Sequence, residues 1–438
     1  MLPNLIFAQA TISLNSSPAP RVQTTAQGGQ AAPPGGSQPG SSAPAPAKLI
    51  TLDEAIRLAL ANSPTIKATR TQVQQSQAQE VTANLRPNPV FGGDSQFIPF
   101  FNPSQLSENV EQYDAGIGYT FETAGKRHKR LLAARDQTSV TRSQVADAER
   151  TLSFNVAQQF ISVLLANSNL QFAQEGLKSF QQTVDISKQR YKAGDISEGD
   201  YLKIKLQLLQ FQTDVSSAQV AKVQALGSLR QLIGYASLPR EYAVSGDLTY
   251  QPLTARLEDL ETKALSERPD LRAAEQGIHA ARSQLTLAKA DGKPDLTLTT
   301  SYSHTPGLSS LSWFISLPLP IFDRNQGEVS RTRFALTQAE LNAQAAHDIV
   351  MTDVINAYEA SKTNQEVVQL YTSGYLKEAQ DSRDISAYAY KGGAATLLDF
   401  LDAERSYRAT QLAYRQALAA YMLSLEQLRQ AVGTRSLP

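Results

Sequence analysis

The sequence predicts a mainly α-helical protein with a small β part, built from a duplicated unit of helix, β-hairpin, long helix and returning helix. Two tracts, residues 185–202 and 384–401, share Asp-Ile-Ser, Tyr-Lys, Gly, Asp and Leu at matching spacings. Each tract ends one long helical pattern and begins another, and a period-two alternation typical of strands precedes each long helix. Recurrence of this kind indicates an internally duplicated chain.

A second alignment extends the duplication upstream. Five residues of the first unit, Leu52, Leu60, Pro64, Ile66 and Pro89, correspond to Leu257, Leu265, Pro269, Leu271 and Pro294. We therefore expect one repeat over residues 49–234 and another over 254–433, joined by a connection over 235–253 and followed by a tail over 434–438.

Residues 1–48 are predicted to lie outside this fold. Residues 5–10 resemble the end of a secretory signal, with Ala8 and Ala10 in an A-x-A cleavage pattern. Either the true start lies upstream of Met1, or the pattern is a coincidence. Residues 11–48 are rich in Pro, Gly, Ser, Ala and Gln, so they cannot bury enough apolar surface to offset chain entropy and should form a disordered leader.

Composition excludes several functions. Lys and Arg number 41, as do Asp and Glu, so no net field favours nucleic acid. The chain has no cysteine, which excludes thiolate metal sites, and its four histidines are dispersed: His128, His279, His304 and His347. We find no phosphate loop and no grouped nucleophile and base. The sequence predicts no enzyme, cofactor, metal site or transmembrane helix.

The first repeat should begin with two helices. Thr51 and Glu54 form a capping-box pattern, and Ser63-Pro64 starts a second helix that runs to about Leu85. Residues 126–193 and 325–391 are nearly free of Pro and Gly, and about 67 helical residues would span roughly 100 Å. Apolar residues recur at +3 and +4, which predicts coiled-coil packing. Gly234 and Gly433 occupy the expected C-cap positions.

One β-hairpin is predicted in each repeat, over about residues 90–122 and 294–320. Val90–Phe100 pairs with a strand in which apolar and small residues alternate from Tyr113 to Phe121. Strands of about ten residues can cross a bilayer when tilted, and aromatic residues at Tyr302 and Trp313 suit its interfaces. Four strands cannot close a membrane barrel, whereas a trimer would supply twelve. A soluble sheet covered by helices remains the alternative.

The turns and junctions resemble those of the TolC-type outer-membrane efflux family. The resemblance is carried by Tyr191–Asp200, Tyr390–Ala403, Tyr119–Arg127 and Leu317–Asp323, and the last two are similar to the cation-efflux subgroup. It implies a homotrimer with a twelve-stranded β-barrel in the outer-membrane lipid and a helical barrel in the periplasm. It also implies a periplasmic adaptor docked at the helical tip and an inner-membrane resistance-nodulation-division pump.

The resemblance also implies roles for residues near the tip. Asp200, Asp399 and Asp402 would form an acidic ring facing the lumen, with raised pKa values; solvated helix-start aspartates are the alternative. The residues implied in the tip turns and adaptor docking are Tyr191, Gly194, Leu202, Tyr390, Gly393 and Leu401. Ala395 stands where some family members carry an arginine that ties the closed tip, which leaves Tyr390 and Arg383 as gate partners.

Three functions follow from these expectations. The first is the outer-membrane channel of a tripartite efflux system, a passive duct for metal cations or small toxic compounds. The others are a periplasmic coiled-coil scaffold, which would not explain the amphipathic strands, and the outer-membrane channel of a type I protein secretion system.

Overall fold

The computed structural model describes residues 48–96 and 111–436. The first part of the chain contains β1 (Lys48–Ile50), α1 (Leu52–Asn62), α2 (Pro64–Asn84), β2 (Val90–Gln96), β3 (Gln112–Phe121), α3 (Lys126–Ala193), α4 (Glu198–Ile233) and β4 (Tyr242–Val244). The second contains α5 (Leu257–Glu267), α6 (Pro269–Asp291), β5 (Leu296–Thr305), β6 (Leu308–Ser316), α7 (Gln326–Leu370), a π-turn (Tyr371–Tyr375), α8 (Leu376–Lys391) and α9 (Leu397–Val432). The predicted leader and the end of the first predicted strand, residues 97–100, lie outside the described residues.

Both halves follow the same order of elements, which confirms the predicted fold class. Thr51 caps α1 by accepting a hydrogen bond from the backbone N–H of Glu54 at 3.3 Å. Pro64 occupies the first position of α2, but the side chain of Ser63 makes no capping hydrogen bond. Ser63 is instead buried at the junction of α1 and α2.

The second long helix is interrupted, contrary to the prediction. Residues 126–193 form one continuous α-helix, as expected, whereas residues 325–391 divide into α7, the π-turn and α8. Gly374 departs from helical geometry at φ 160° and ψ −33°. A glycine lacks the Cβ that favours helical dihedral angles, so the helix deforms there.

The four longer strands form one antiparallel sheet in the order β2-β3-β5-β6. Directly opposite residues share a face, so the pairings Phe91 with Ile117 and Thr300 with Trp313 place the aromatic and aliphatic side chains together. This face is open in the chain: Ile117 is 57% and Trp313 is 70% exposed. No helix of the described residues covers it, which argues against the soluble-sheet alternative.

The opposite face of the sheet is mainly polar or small. Its residues include Asp94, Gln96, Gln112, Asp114, Gly116, Gly118, Thr299, Ser301, Ser303, Ser310 and Ser312, with Val90, Leu308 and Phe314 as apolar exceptions. Within the described residues, no strand pairs with the outer edge of β2 or β6. No helix in those residues is both long enough and apolar enough to cross a membrane.

The hydrophobic core is divided into clusters along the long helices. One cluster joins β1, α1, α3, α4 and β4 around Ile50 and Leu229. A second joins α5, α6, α7 and α9 around Leu260 and Val354. The equivalent helices of the two repeats therefore bury equivalent faces, as expected from duplication.

Hydrogen bonds and an ion pair connect the two repeats between the end of β3 and the beginning of β5. Asp295, which precedes β5, accepts a hydrogen bond from the backbone N–H of Thr123 at 2.8 Å and forms an ion pair with Nζ of Lys126 at 2.7 Å. Lys126 is buried, and its Nζ also donates to the carbonyl oxygen of Lys293 at 2.7 Å. Burial alone would raise the pKa of Asp295, but the hydrogen bonds from Lys126 and Thr123 outweigh burial and lower it.

We expect Asp295→Asn to lower the free energy of unfolding by about 3 kcal/mol at neutral pH, because Lys126 would stay buried without its counter-ion. The pKa of Asp295 is lowered in the folded state, so this stabilisation is present above the unfolded pKa and is lost as pH falls through the folded pKa. Denaturant titrations of the detergent-solubilised protein should therefore show a difference from wild type that shrinks in acid. The exposed Asp247→Asn is the control, and equal effects of the two variants would contradict this role.

Candidate functional site

Two turns connect the long helices at the tip, and each contains a glycine with positive φ. Gly194 (φ +84°) ends α3, and its N–H donates to the carbonyl oxygens of Arg190 and Tyr191. Gly393 (φ +77°) follows α8, where an added Cβ would lie 3.4 Å from Nη2 of Arg190. The left-handed backbone favours glycine, so a larger residue at either position would strain the turn.

Each turn leads into a capped helix. The hydroxyl of Ser197 accepts a hydrogen bond from the backbone N–H of Asp200 at 3.1 Å, and donates one to its carboxylate at 2.9 Å. In the second turn, Thr396 and Asp399 make the same exchange, and the backbone N–H of Thr396 also donates to Asp399 at 3.2 Å. Asp399 therefore completes a capping box with Thr396, whereas the carboxylate of Asp200 bonds only the hydroxyl of the N-cap residue Ser197.

In the single chain, the capping contacts lower the pKa of Asp399, whereas the raised pKa was expected of the acidic ring gathered in a trimer. The Thr396 hydroxyl lies 2.6 Å from the Asp399 carboxylate, and this hydrogen bond lowers the pKa of Asp399 instead of raising it. Asp402 lies one turn further along α9 and pairs with Arg405 at 3.2 Å. Since hydrogen bonding favours the charged form, Asp399 is ionised at neutral pH.

A hydrophobic cluster, called the tip cluster below, holds the two turns together. It consists of Phe180, Val184, Ile204, Phe211, Tyr390, Leu397 and Phe400. The rings of Phe180 and Phe211 are stacked at 4.4 Å, and those of Tyr390 and Phe400 at 5.4 Å. The cluster draws side chains from α3, α4, α8 and α9, so it packs the hairpin α3–α4 against the hairpin α8–α9.

Tyr390 belongs to this cluster and is only 4% exposed. Its hydroxyl lies 3.4 Å from that of Ser187, and its carbonyl oxygen accepts a hydrogen bond from Nη1 of Arg190 at 2.7 Å. The sequence did not predict this contact between Arg190 and Tyr390. Arg190 reaches the second turn from the first repeat, beside Gly393, two residues before the position at which some family members carry an arginine.

The other predicted tip residues differ in exposure. Tyr191 stacks on Tyr201 at 5.3 Å and is 38% exposed. Leu202 is 48% exposed, whereas Leu401 is half-buried against the tip cluster. Gly194, Tyr191 and Leu202 are therefore accessible in the chain, while Tyr390 is a packing residue.

Arg383 contacts its own hairpin. Its guanidinium lies over the ring of Tyr407 at 4.5 Å, and its Nε is 3.0 Å from the carboxylate of Asp384. The nearby Glu404 is half-buried, and burial raises its pKa despite the positive charges of Arg383 and Arg408. Sequence reasoning missed Glu404, because its burial depends on helices that are distant along the chain.

The sequence also did not predict an ion pair between the hairpins α3–α4 and α8–α9. Arg408 of α9 pairs with Asp214 of α4, and its guanidinium lies 4.1 Å from the ring of Phe211. It lies above the turns, next to the tip cluster. Among the described residues, no group of three His, Asp or Glu side chains could hold a metal ion.

We expect Tyr390→Ala to destabilise the tip by about 3 kcal/mol, because it removes an aromatic ring from a closely packed cluster. Tyr388→Ala is a matched control on the same helix, since Tyr388 is 82% exposed. Limited proteolysis of the purified protein should cut Tyr390→Ala faster between residues 376 and 400, while Tyr388→Ala should match wild type. Equal cleavage of all three proteins would show that Tyr390 does not hold the turn.

A family model described as outer membrane efflux protein matches residues 55–235 and 260–434. The chain is 24% identical over 368 residues to the cation efflux system protein CusC of Escherichia coli strain K12, covering 81% of this chain and 80% of CusC. It is 25% identical over 403 residues to the pyoverdine export outer membrane protein OpmQ of Pseudomonas aeruginosa, covering 87% of this chain and 83% of OpmQ.

Similarity to a solved structure supports the same fold. A crystal structure of CusC aligns with a TM-score of 0.72 and 21% identity, covering 87% of this chain and 92% of the CusC chain. The two matched segments of the family model contain the two halves of the duplicated fold. Both tip turns lie within the matched segments.

Proposed function

Because the chain belongs to the outer membrane efflux protein family, we propose that it forms a homotrimeric duct that exports metal cations from the periplasm across the outer membrane. The family and its relatives establish the coarser role, an outer-membrane channel of an efflux system. The proposal adds to this role the number of copies, the cargo and the partners.

The proposal rests on one observation: the four-stranded sheet has one exposed apolar face and one polar face. Its aromatic and aliphatic face suits lipid, and its opposite face of Ser, Thr, Gly, Asp and Gln suits water. An unpaired edge in hydrocarbon leaves backbone groups without partners, at several kcal/mol each. Pairing β6 (Leu308–Ser316) with β2 (Val90–Gln96) of a neighbouring copy removes both edges, and three copies give twelve strands.

We expect the detergent-solubilised protein to have three times the 47.6 kDa mass of the chain. Native mass spectrometry in mild detergent measures this directly, and membrane fractionation of cells should recover the protein with the outer membrane. A stable monomer that keeps its strand content would contradict the trimer. Recovery as a soluble protein would instead favour the coiled-coil scaffold.

The cargo is inferred from the chemistry of the tip. CusC is named for cations and OpmQ for pyoverdine, at nearly the same identity, so similarity alone does not choose between them. Asp200, Asp399 and Asp402 lie in the first two turns of α4 and α9, which begin directly after the tip turns. Threefold symmetry would gather nine carboxylates there. The lowered pKa of Asp399 keeps charge at this point at neutral pH, which favours cations.

The partners follow from the position of the turns. A periplasmic adaptor would dock on the accessible residues Tyr191, Gly194 and Leu202, with Gly393 and Leu401 beside them. The adaptor would join the duct to an inner-membrane pump of the resistance-nodulation-division class, which supplies the energy. A duct needs no tight metal site, because tight binding would slow release.

We expect Asp399→Ala with Asp402→Ala to form trimers and insert into planar bilayers, but to lose cation preference and block by trivalent metal ions. The variant removes charge from the tip and leaves the buried Leu397 and Phe400 in place. Glu258→Ala with Asp259→Ala removes two carboxylates from the first turn of α5 and should keep wild-type selectivity.

Reversal potentials under a salt gradient measure the preference in both double variants. If the tip variant keeps its cation preference, the acidic ring is elsewhere, and Asp200 is the next residue to test. If wild type shows no cation preference, the cation cargo is wrong. Loss of protein export with normal metal tolerance in a deletion strain would favour type I secretion.

A further inference from the structure

The connection from β6 to α7 is longer than its counterpart in the first repeat. Four residues, 122–125, join β3 to α3, whereas nine residues, 317–325, join β6 to α7. The shorter connection demonstrates that four residues are enough to lead from a strand into a long helix in this fold. The additional residues of the second connection therefore need a reason other than the geometry of the chain.

The longer connection continues the apolar pattern of β6. The apolar face of this strand ends with Trp313 and Ile315, which lie opposite Thr300 and Leu298. The same alternation continues beyond the strand at Leu317, Leu319 and Ile321. The residues between them are prolines, which have no N–H to donate, so this stretch cannot extend the hydrogen bonds of the sheet. The apolar spacing of the sheet therefore outlasts its last paired strand.

The apolar side chains of this connection are not packed into the protein. Phe322 is 91% exposed, and Leu317, Leu319 and Ile321 are exposed as well. These four residues are called the apolar collar below. Single exposed apolar residues are common on protein surfaces, but a contiguous group of large ones indicates a surface that contacts a partner or a membrane.

Basic residues are concentrated at the same level, where helices meet strands. The connecting segments 84–89, 122–130, 289–295 and 323–333 contain ten Lys and Arg but five Asp and Glu, although the whole chain has 41 of each. Lys126, Arg130 and Arg331 pair with carboxylates. Within the residues that the structure describes, no carboxylate pairs with Arg86, Arg127, Lys129, Lys293 or Arg324. These helix ends therefore carry a positive charge that the chain does not neutralise.

Two of these basic residues lie beside the apolar collar. Nε of Arg324 donates to the carbonyl oxygen of Pro320 at 3.1 Å, which holds the guanidinium against the collar segment. In the described part of the chain, the two terminal nitrogens of Arg324 make no hydrogen bond. Lys293 lines the same groove as Leu319 and Pro320. An apolar surface and two free cationic groups thus adjoin each other.

The carboxylates of this groove do not cancel the positive charge. Asp295 pairs with Lys126, and Glu328 pairs with Arg331. Asp323 accepts a hydrogen bond from the backbone N–H of Asn325 at 2.8 Å. All acids of the groove are already included in the count above, which leaves the junctions positive.

We propose that the apolar collar and the basic residues beside it bind anionic phospholipid of the periplasmic leaflet of the outer membrane. Acyl chains would contact Leu319, Ile321 and Phe322, and the lipid phosphate would be bound by Arg324 and Lys293. A guanidinium suits phosphate because it can donate two parallel hydrogen bonds, and basic residues next to a membrane segment attract anionic lipid. This inference rests on the proposed function, because it requires the sheet to lie in the membrane and the long helices in the periplasm.

A neighbouring copy of the chain is the other occupant that the collar could have. Strands of neighbouring copies would pair edge to edge, whereas side chains project from the two faces of a sheet. The collar continues the apolar face, so edge pairing would leave it open to lipid. The apolar face and the charge at the junctions therefore both favour phospholipid.

Tryptophan fluorescence tests the site, because the chain has one tryptophan, Trp313. In vesicles of phosphatidylcholine with brominated acyl chains, quenching of Trp313 reports contact between the sheet and lipid. Phe322→Trp in a Trp313→Phe background moves the probe to the collar, and we expect quenching there too. Tyr388→Trp in the same background is the control, since Tyr388 is exposed on α8 and should not be quenched.

The preference for anionic lipid is measured in mixed vesicles in which either phosphatidylglycerol or phosphatidylcholine is brominated. With the probe at position 322, we expect phosphatidylglycerol to be preferred about three-fold. Lys293→Gln with Arg324→Gln should abolish this preference. Lys362→Gln with Lys377→Gln is the matched control, because it removes two exposed lysines from α7 and α8, and should keep the preference.

The outcomes separate the lipid site from the proposed function. If Trp313 is not quenched, the sheet does not contact lipid and the proposed duct is wrong. If Trp313 is quenched but the probe at position 322 is not, the collar is no lipid site and the duct stands. Equal quenching by the two lipids would refute the preference for anionic lipid. Loss of the trimer in Ile321→Ser with Phe322→Ser, measured by native mass spectrometry in detergent, would make the collar a contact between copies and refute the proposal.

Discussion

A sheet in contact with lipid cannot end in an unpaired strand, because hydrocarbon offers no partner for its backbone N–H and C=O groups. The residues that the structure describes contain four long strands with an exposed apolar face, and within those residues no strand pairs with the outer edges of β2 and β6. In the proposed trimer, the neighbouring copies would complete the sheet and pair these two edges. The duplication provides two similar hairpins per chain, so each copy already contains an internal version of the contact that neighbours must make.

The strand-to-helix junction shows how that internal contact works. Asp295 of the second repeat binds Thr123 and Lys126 of the first, so the end of one hairpin is fixed to the beginning of the next. The long helices then leave the sheet side by side. They pack through several separate clusters, one of which lies at the tip.

The two halves differ most clearly in their long helices. Repeat 1 keeps α3 unbroken for 68 residues, whereas repeat 2 inserts the π-turn between α7 and α8. Tyr421 of α9 packs against Val368 of α7 before the π-turn, and the tip cluster buries Tyr390 of α8 after it. Ser197 and Thr396 cap equivalent helices and bond the carboxylates of Asp200 and Asp399, while Arg190 reaches from one repeat to the other.

The sequence by itself determined the duplicated order of elements, the hairpins, and the positions of both tip turns. These features depend on local periodicity and on glycines such as Gly194 and Gly393, whose backbone angles are set by near neighbours. Only the tertiary structure decided that Tyr390 is buried, that Thr396 lowers the pKa of Asp399 and that the helix breaks at Gly374. Burial and hydrogen-bond partners depend on residues brought together from distant parts of the chain, and neither spacing nor residue type specifies them.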